Sequence, residues 1–475
     1  TRQSYRVIWL MLGAAFVVML NETVMGVAIP NLVADLGITI AAAQWLTTAF
    51  MLTMAVIIPI TGFLLQRFST RQIFLSAMTL FSIGTLISAL APGFEVLLLG
   101  RIVQASGTAM MMPLLMTTIM TLVPAASRGR FMGRISIVMA VAPAVGPTVS
   151  GLILSLASWR TLFWLVLPVA IIMLIVGARR IENVGETKHA PIDFLSVVLS
   201  AFGFGGLVFG LSLIGESAAS GGGVRLFVAL GVGVLGVALF VWRQLVLQKQ
   251  DRALLDLRIF RSRSFTIAVV LMTLMMAAMF GTIILLPVYL QNVLLLSPVV
   301  AGAMMLPGGL VMGLLAPTIG RLFDTYGPRP LVIPGSMIVS ASLWALTTIS
   351  VGTAPWFIIV AHVALSTGLA MMFTPLFTSA LGSLSRDLYS YGSATVGAIQ
   401  QVAGAAGTAL FITLLTIRTG ELTAAGSSAV EAQAGGIQLA FLIGAIFSLA
   451  VVAGSFLVRR PAPADAAVDA PPAAR

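Results

Sequence analysis

Polar residues are so sparse along this chain that the apolar runs between them define it. Fourteen such runs are each about the 20 residues that a helix needs to cross a bilayer: 7–30, 43–65, 73–91, 95–123, 131–156, 160–178, 194–214, 224–246, 265–290, 299–320, 331–350, 356–381, 393–417 and 437–458. None alternates polar and apolar positions as a barrel strand would, so all fourteen are expected as helices. The pattern predicts an all-α polytopic membrane protein.

Charge tests that count. With the N-terminus inside, only Arg160, Arg225 and Arg418 fall in external segments, and Arg101 falls within a span; every other basic residue is cytoplasmic. Basic residues concentrate on the cytoplasmic side of membrane proteins, so fourteen helices with both termini cytoplasmic are expected.

The pattern also repeats. GFLLQRFSTRQ (62–72) follows the second run and GRLFDTYGPRP (320–330) follows the tenth, aligning Gly62 with Gly320 and Arg71 with Arg329. Helices 1–6 then match helices 9–14, a transporter architecture. The expected division is an N-terminal six-helix half over 1–180, two inserted helices with cytoplasmic linkers over 181–264, and a C-terminal six-helix half over 265–458. The Pro/Ala-rich stretch 459–475 is expected to be a disordered cytoplasmic tail.

Composition agrees. Of 475 residues 59% are hydrophobic and 9% charged, and mean hydropathy is +1.08. A soluble fold could not cover that much apolar surface. The net charge of +11 is read as loop charge, not as a nucleic-acid footprint. With no cysteine, and with two histidines far apart, thiol chemistry and a metal cluster are not expected. No cleavable signal peptide is expected, since the first apolar run is long and ends in Pro30-Asn31. No GxxxxGK[ST] loop occurs, so no ATP site is expected.

Candidate chemistry lies inside the spans. Glu22, in LNETVMGVAIP (20–30), is the only acid placed well within one, and Arg101 the only base. Counted from Pro30 and Glu95 at 1.5 Å per residue, both lie roughly 9–12 Å below the outer surface. Opposite charges in hydrocarbon tend to pair, and an intramembrane ionisable group is a functional candidate. The alternatives are a hydrogen-bonded packing acid and a helix-stapling arginine. His362, at similar depth in the repeat counterpart of helix 4, could titrate near neutral pH or simply pack. Further polar positions that could meet a substrate are Asn21, Gln44, Trp45, Gln104, Tyr289, Gln291, Asn292, Gln400 and Gln401. Trp45 suits an interfacial anchor equally well, and Gln400 and Gln401 suit helix–helix hydrogen bonding. Methionine clusters such as Met110–Met112 give weak support for a broad apolar substrate. PAVGPTVSG (143–151) combines proline and glycine as a bend or a close helix contact would.

Taken in order, these stretches resemble the major facilitator superfamily, in its fourteen-helix drug:proton antiporter family, and most of all the lincomycin-resistance branch. LNETVMGVAIP, QWLTTAFML (44–52), GFLLQRFSTRQ, RIVQASGTA (101–109), GPTVSG (146–151), WRTLFW (159–164), LLDLRIFRSRSF (254–265), LPVYLQNVL (286–294), GRLFDTYGPRP and QQVAGAAGTALF (400–411) carry it. The resemblance implies alternating access of two six-helix halves and export of lipophilic, often cationic, compounds against proton flow. It implies proton coupling at Glu22 and Arg101, and gating at Gly62, Arg67, Arg71, Gly146, Pro147, Gly320, Asp324 and Arg329. The chain departs from many relatives with Asn21 in place of Asp, Gln66 in place of a loop Asp, and Ser69, Ala105 and Ser150 in place of motif glycines.

The function expected is a proton-coupled drug or antibiotic exporter in a bacterial cytoplasmic (inner) membrane, a monomer driven by the proton gradient with no cofactor and no enzymatic activity. Its partners are a small lipophilic molecule, protons and membrane lipid, with no nucleic acid. An exporter of a native metabolite or lipid, and a non-transporting sensor of the same fold, are the alternatives.

Overall fold

The structure is a computed structural model that describes residues 2–183, 192–220 and 223–459. Lys188 and the expected tail beyond Arg459 lie outside the described residues. The chain forms α1 Arg2–Leu36, α2 Ile40–Arg67, α3 Thr70–Leu90, α4 Phe94–Leu122, α5 Arg128–Leu156, α6 Arg160–Arg180, α7 Phe194–Ser200, α8 Gly206–Ser220, α9 Gly223–Leu247, α10 Arg263–Val288, α11 Pro298–Tyr326, α12 Arg329–Leu346, α13 Pro355–Gly382, α14 Tyr389–Ala424 and α15 Ala429–Ser455. A π-helical turn, Ala201–Gly205, joins α7 to α8, so the two make one span. Among the described residues thirteen helices are long and apolar enough to cross a membrane. The remaining long one, α5, opens on the basic stretch RGRFMGR but runs for 29 residues, long enough to cross at 1.5 Å per residue.

The helices overrun the apolar stretches that announced them. α1 continues through Pro30 to Leu36 and stops at Gly37, whose φ is 62°. Pro30 therefore lies inside the helix and does not mark its end. A proline is tolerated within a membrane helix where neighbours satisfy the freed backbone. Starts are set by side chains. Ser69 and Ser428 each form a capping box, with Gln72 and Glu431 respectively, and Ser297 caps α11 ahead of Pro298.

The chain divides into two compact units. The first comprises residues through Leu122, Ile137–Asp256 and Ser393–Val402; the second comprises Val123–Ser136, Leu257–Gly392 and the chain from Ala403. In the first, α3 packs on α4 and α6, α2 and α1 pack on α4, and α8 packs on α9. In the second, α12 packs on α13 and α15, and α11 packs on α13.

The same contacts recur in register. A β-carbon added to Gly107 of α4 would strike the Ala77 carbonyl and lie 2.7 Å from the Phe81 nitrogen of α3. One added to Gly368 of α13 would lie 2.7 Å from the Gly335 carbonyl oxygen and 2.9 Å from the Val339 nitrogen of α12. Only glycine permits such backbone approach. Ala77 and Phe81 correspond to Gly335 and Val339 by the spacing that relates Gly62 to Gly320. The repeat in the sequence is therefore a repeat of packing.

Candidate functional site

Four helices of the first unit converge on Arg101. α4 places Arg101 and Gln104 three residues apart, on one face. Arg101 is 1% exposed. Its Nη1 donates to Gln104 Oε1 at 2.6 Å, and Gln104 Nε2 donates to Thr85 Oγ1 of α3 at 2.8 Å. Thr85 Oγ1 donates in turn to the Phe81 carbonyl, one turn back, at 2.7 Å. Phe50 of α2 covers the guanidinium, with the ring centroid 4.1 Å from Cζ. Arg101 Nε is buried without a hydrogen-bond partner.

Glu22 of α1 completes the centre. It is half-buried and attracted through space to Arg101. No direct ion pair or hydrogen bond to it forms among the described residues. A buried charge is costly unless paired. Here three partial compensations stand in for one salt bridge: Coulomb attraction from Glu22, the face of Phe50 and the amide of Gln104. An acid held near a fixed cation, without being locked to it, can take up or release a proton without rebuilding the site.

α5 supports the turn of α1 that carries Glu22. Gly146 lies so close to α1 that a β-carbon there would strike Thr23 Oγ1. One turn later Ser150 donates to the Val24 carbonyl at 3.1 Å. Of Pro147 only the helical backbone is described.

The other polar positions separate by environment. Asn21 is buried, with Nδ2 unpartnered. Gln104 is fully buried with both ends engaged, so it serves Arg101 and presents no open surface. Gln44 is exposed, and Trp45, 42% exposed, packs on Phe209 of α8 with ring centroids 5.6 Å apart. Gln400 and Gln401 are half-buried in the first unit, and Gln400 Nε2 has no partner.

In the second unit Tyr289 is buried and its hydroxyl donates to the Ser350 carbonyl at 2.6 Å. Gln291 is half-buried and Asn292 exposed, both on the π-helical turn Tyr289–Val293 that ends α10. His362 hydrogen-bonds the Met305 backbone, and its Nδ1 is buried without a partner. It lies six residues before Gly368, as Arg101 lies six before Gly107, and so takes the place of Arg101 in the repeat. It packs on Gly308 of α11, which takes the place of Phe50. Phe50 and Thr85 carried no signal as single residues. The repeat could have found Phe50 through Gly308.

Several gating candidates are engaged at helix ends. Arg71 Nη2 donates to the Ala178 carbonyl in the last turn of α6 at 2.6 Å. Arg329 does the same just beyond α15, with Nε to Val458 at 2.8 Å and Nη2 to Phe456 at 3.1 Å. Asp324 accepts from the Gly129 and Arg130 amides at the start of α5, at 2.7 and 2.9 Å, an anion on a helix N-terminus. Gly320 lies against the Gly129 backbone, Gly62 is buried, and Arg67 lies 5.7 Å from the Phe68 ring.

The model of the Major Facilitator Superfamily matches residues 11–408. The chain is 42% identical to a lincomycin resistance protein of Listeria monocytogenes, over 94% of this chain and 95% of that one. It is 38% identical to a lincomycin resistance protein of Bacillus subtilis, over 96% and 97%. It is 31% identical to a multidrug resistance protein B homolog of Mycobacterium tuberculosis, over 83% and 73%. In fold it is similar to the crystal structure of the human organic anion transporter MFSD10, with TM-score 0.68, 14% identity and 96% and 99% of the two chains covered. It is likewise similar to a proton:xylose symporter, with TM-score 0.62, 15% identity and 95% and 96% covered. The chain is thus a multi-pass membrane transporter and not an enzyme, and it belongs to the Major Facilitator Superfamily.

Proposed function

We propose that the protein is a proton-coupled antiporter of a bacterial cytoplasmic membrane, exporting lipophilic or cationic antibiotics by alternating access. Lincomycin is the first compound to test, given the names of its relatives. The observation that carries the reading is the Glu22–Arg101 centre: a half-buried acid attracted to a fully buried cation, with no direct bond between them. A proton arriving from outside discharges Glu22 and removes its attraction for Arg101 or a cationic cargo. The neutral acid then passes through an occluded state cheaply, and its deprotonation to the cytoplasm restores affinity. One proton crossing 100 mV supplies about 2.3 kcal/mol, enough for a roughly fifty-fold gradient of a neutral cargo.

His362 supplies the second half's titratable group. Asn21, Gln44, Trp45, Gln291, Asn292, Gln400 and Gln401 are the polar positions offered to cargo. Asp324 on the start of α5 serves as a cytoplasmic latch. No cofactor enters the cycle, and both termini face the cytoplasm in a monomeric carrier.

The test is lincomycin flux in proteoliposomes under an imposed pH gradient, comparing the wild type with Glu22→Gln. The expected result is gradient-driven flux that the substitution abolishes. Equal rates in the two proteins sink the Glu22 mechanism. Absent flux for lincomycin and a broad panel of lipophilic cations favours a sensor of the same fold.

A further inference from the structure

We propose that Thr85 is a positioning residue for the buried centre: its hydroxyl sets which way the Gln104 amide faces, and through that amide where the Arg101 guanidinium sits. The inference rests on the reading of Glu22 and Arg101 as the coupling pair.

The argument is one of proton inventory. A threonine hydroxyl has one proton to give. Thr85 gives it to the Phe81 carbonyl at 2.7 Å, so towards α4 its oxygen can only accept. It accepts from Gln104 Nε2 at 2.8 Å. The other end of that amide, Oε1, therefore faces Arg101, and it receives Nη1 at 2.6 Å. An arginine carries donors only. A flipped amide would set NH₂ against the guanidinium and oxygen against oxygen at Thr85, two mismatches in a fully buried place. The amide has one orientation, held from both ends: by Arg101, which only donates, and by Thr85, whose proton is committed to Phe81.

The remaining environment leaves Arg101 little else to hold it. Its only other described neighbours of this kind are the face of Phe50 at 4.1 Å and the through-space attraction of Glu22. Its Nε has no hydrogen-bond partner. Neither the ring nor an unbonded charge fixes the rotation of the guanidinium plane, whereas a directed bond to Gln104 does. Among the described residues the hydrogen bonds of the Thr85 hydroxyl run to Phe81 and Gln104, so its route to Arg101 passes through Gln104.

The experiment compares lincomycin flux under an imposed pH gradient, together with thermal unfolding in detergent. The proteins are the wild type, Thr85→Val, Thr85→Ser, Gln104→Leu and the Thr85→Val/Gln104→Leu double variant. Valine keeps the shape and removes the acceptor, leaving a buried donor unpaired, and flux is expected to fall about tenfold. Serine keeps the hydroxyl and is expected to stay within about twofold of the wild type. In the Gln104→Leu background the valine change is expected to add nothing, since its route to Arg101 is already gone. Thr85→Ala takes the place of valine if the latter does not fold, with the same expectations.

Wild-type flux in Thr85→Val overturns the inference and leaves the coupling reading standing. A valine effect that persists undiminished beside Gln104→Leu also overturns it, because Thr85 would then act elsewhere. A wild type without gradient-driven flux, or one matched by Glu22→Gln, removes the coupling reading and this inference with it.

Discussion

Gly308 of α11 lies against the ring of His362: a β-carbon at 308 would stand 2.5 Å from Nε2. The corresponding pair in the first unit is Phe50 and Arg101, with the guanidinium carbon 4.1 Å from the ring centre. The corresponding positions carry different chemistry, a guanidinium against a ring in one unit and an imidazole against a glycine in the other.

Gly308→Ala is therefore expected to lower stability by ~1–3 kcal/mol through overpacking, read as a lower unfolding midpoint in detergent. His362→Ala in the same chain removes the contact with the ring and leaves Ser366 Oγ 2.7 Å from the added carbon. The double variant should recover part of the loss, and an additive result would show that residues 308 and 362 do not press on one another.

Phe50→Leu removes the ring from Arg101 and keeps an apolar side chain. A loss of ~0.5–2 kcal/mol is expected from the cation–π contact. The loss should shrink when Arg101 is replaced by methionine, since no cation then remains. Chemical denaturation of the four corners of this cycle measures the coupling.

Arg71→Ala and Arg329→Ala each strip a charged donor from a helix C-terminus, and ~1–3 kcal/mol apiece is expected. The two arginines share no partner, so their effects should add in the double variant. If transport fails in these variants only in proportion to the folded fraction, the arginines act as staples and not as gates.

Outside the membrane, the Asp193 carboxyl is held well below the ordinary carboxylate range. The causes are the paired bonds from Arg243, at 2.7 Å each, and those from Ser196. A depressed value means the contribution is present above the ordinary carboxylate pKa and is lost as pH falls through the folded one. The clamp between α7 and α9 should thus hold unchanged from pH 7 to pH 5. Asp193→Asn is expected to cost ~1–2 kcal/mol at neutral pH and to flatten the acid limb of an unfolding-midpoint series. The Asp35 carboxyl is likewise lowered, by Trp159 and then Arg160, but on an exposed surface where screening leaves little to measure.

The rods were legible because hydropathy reports the bilayer directly. The helix ends were not. α14 runs from Tyr389 to Ala424, well past its apolar stretch, since backbone hydrogen bonding continues where hydropathy stops. Glu22 and Arg101 stood out as charges in apolar runs, whereas the residues that contact Arg101 and its amide partner Gln104 are an ordinary phenylalanine and an ordinary threonine. Thr85 looks in sequence like any threonine bonding its own helix one turn back. Its second bond exists only because Gly84 and Gly100 let α3 and α4 touch. The Ser150 hydroxyl, noticed only as a missing glycine, turned out to grip the turn beside Glu22.

The arginine staples also impose an order on biosynthesis. Arg71 finds its acceptor at Ala178 as soon as the sixth helix is made, so the first set of helices can lock while the second is still unborn. Arg329 must wait for Phe456 and Val458, among the last residues described. A chain stopped a few residues short of Val458 would carry Glu22, Arg101 and His362, yet Arg329 would lack its fastening at Val458. Such a chain should be cleared by membrane proteases faster than one stopped at Arg459.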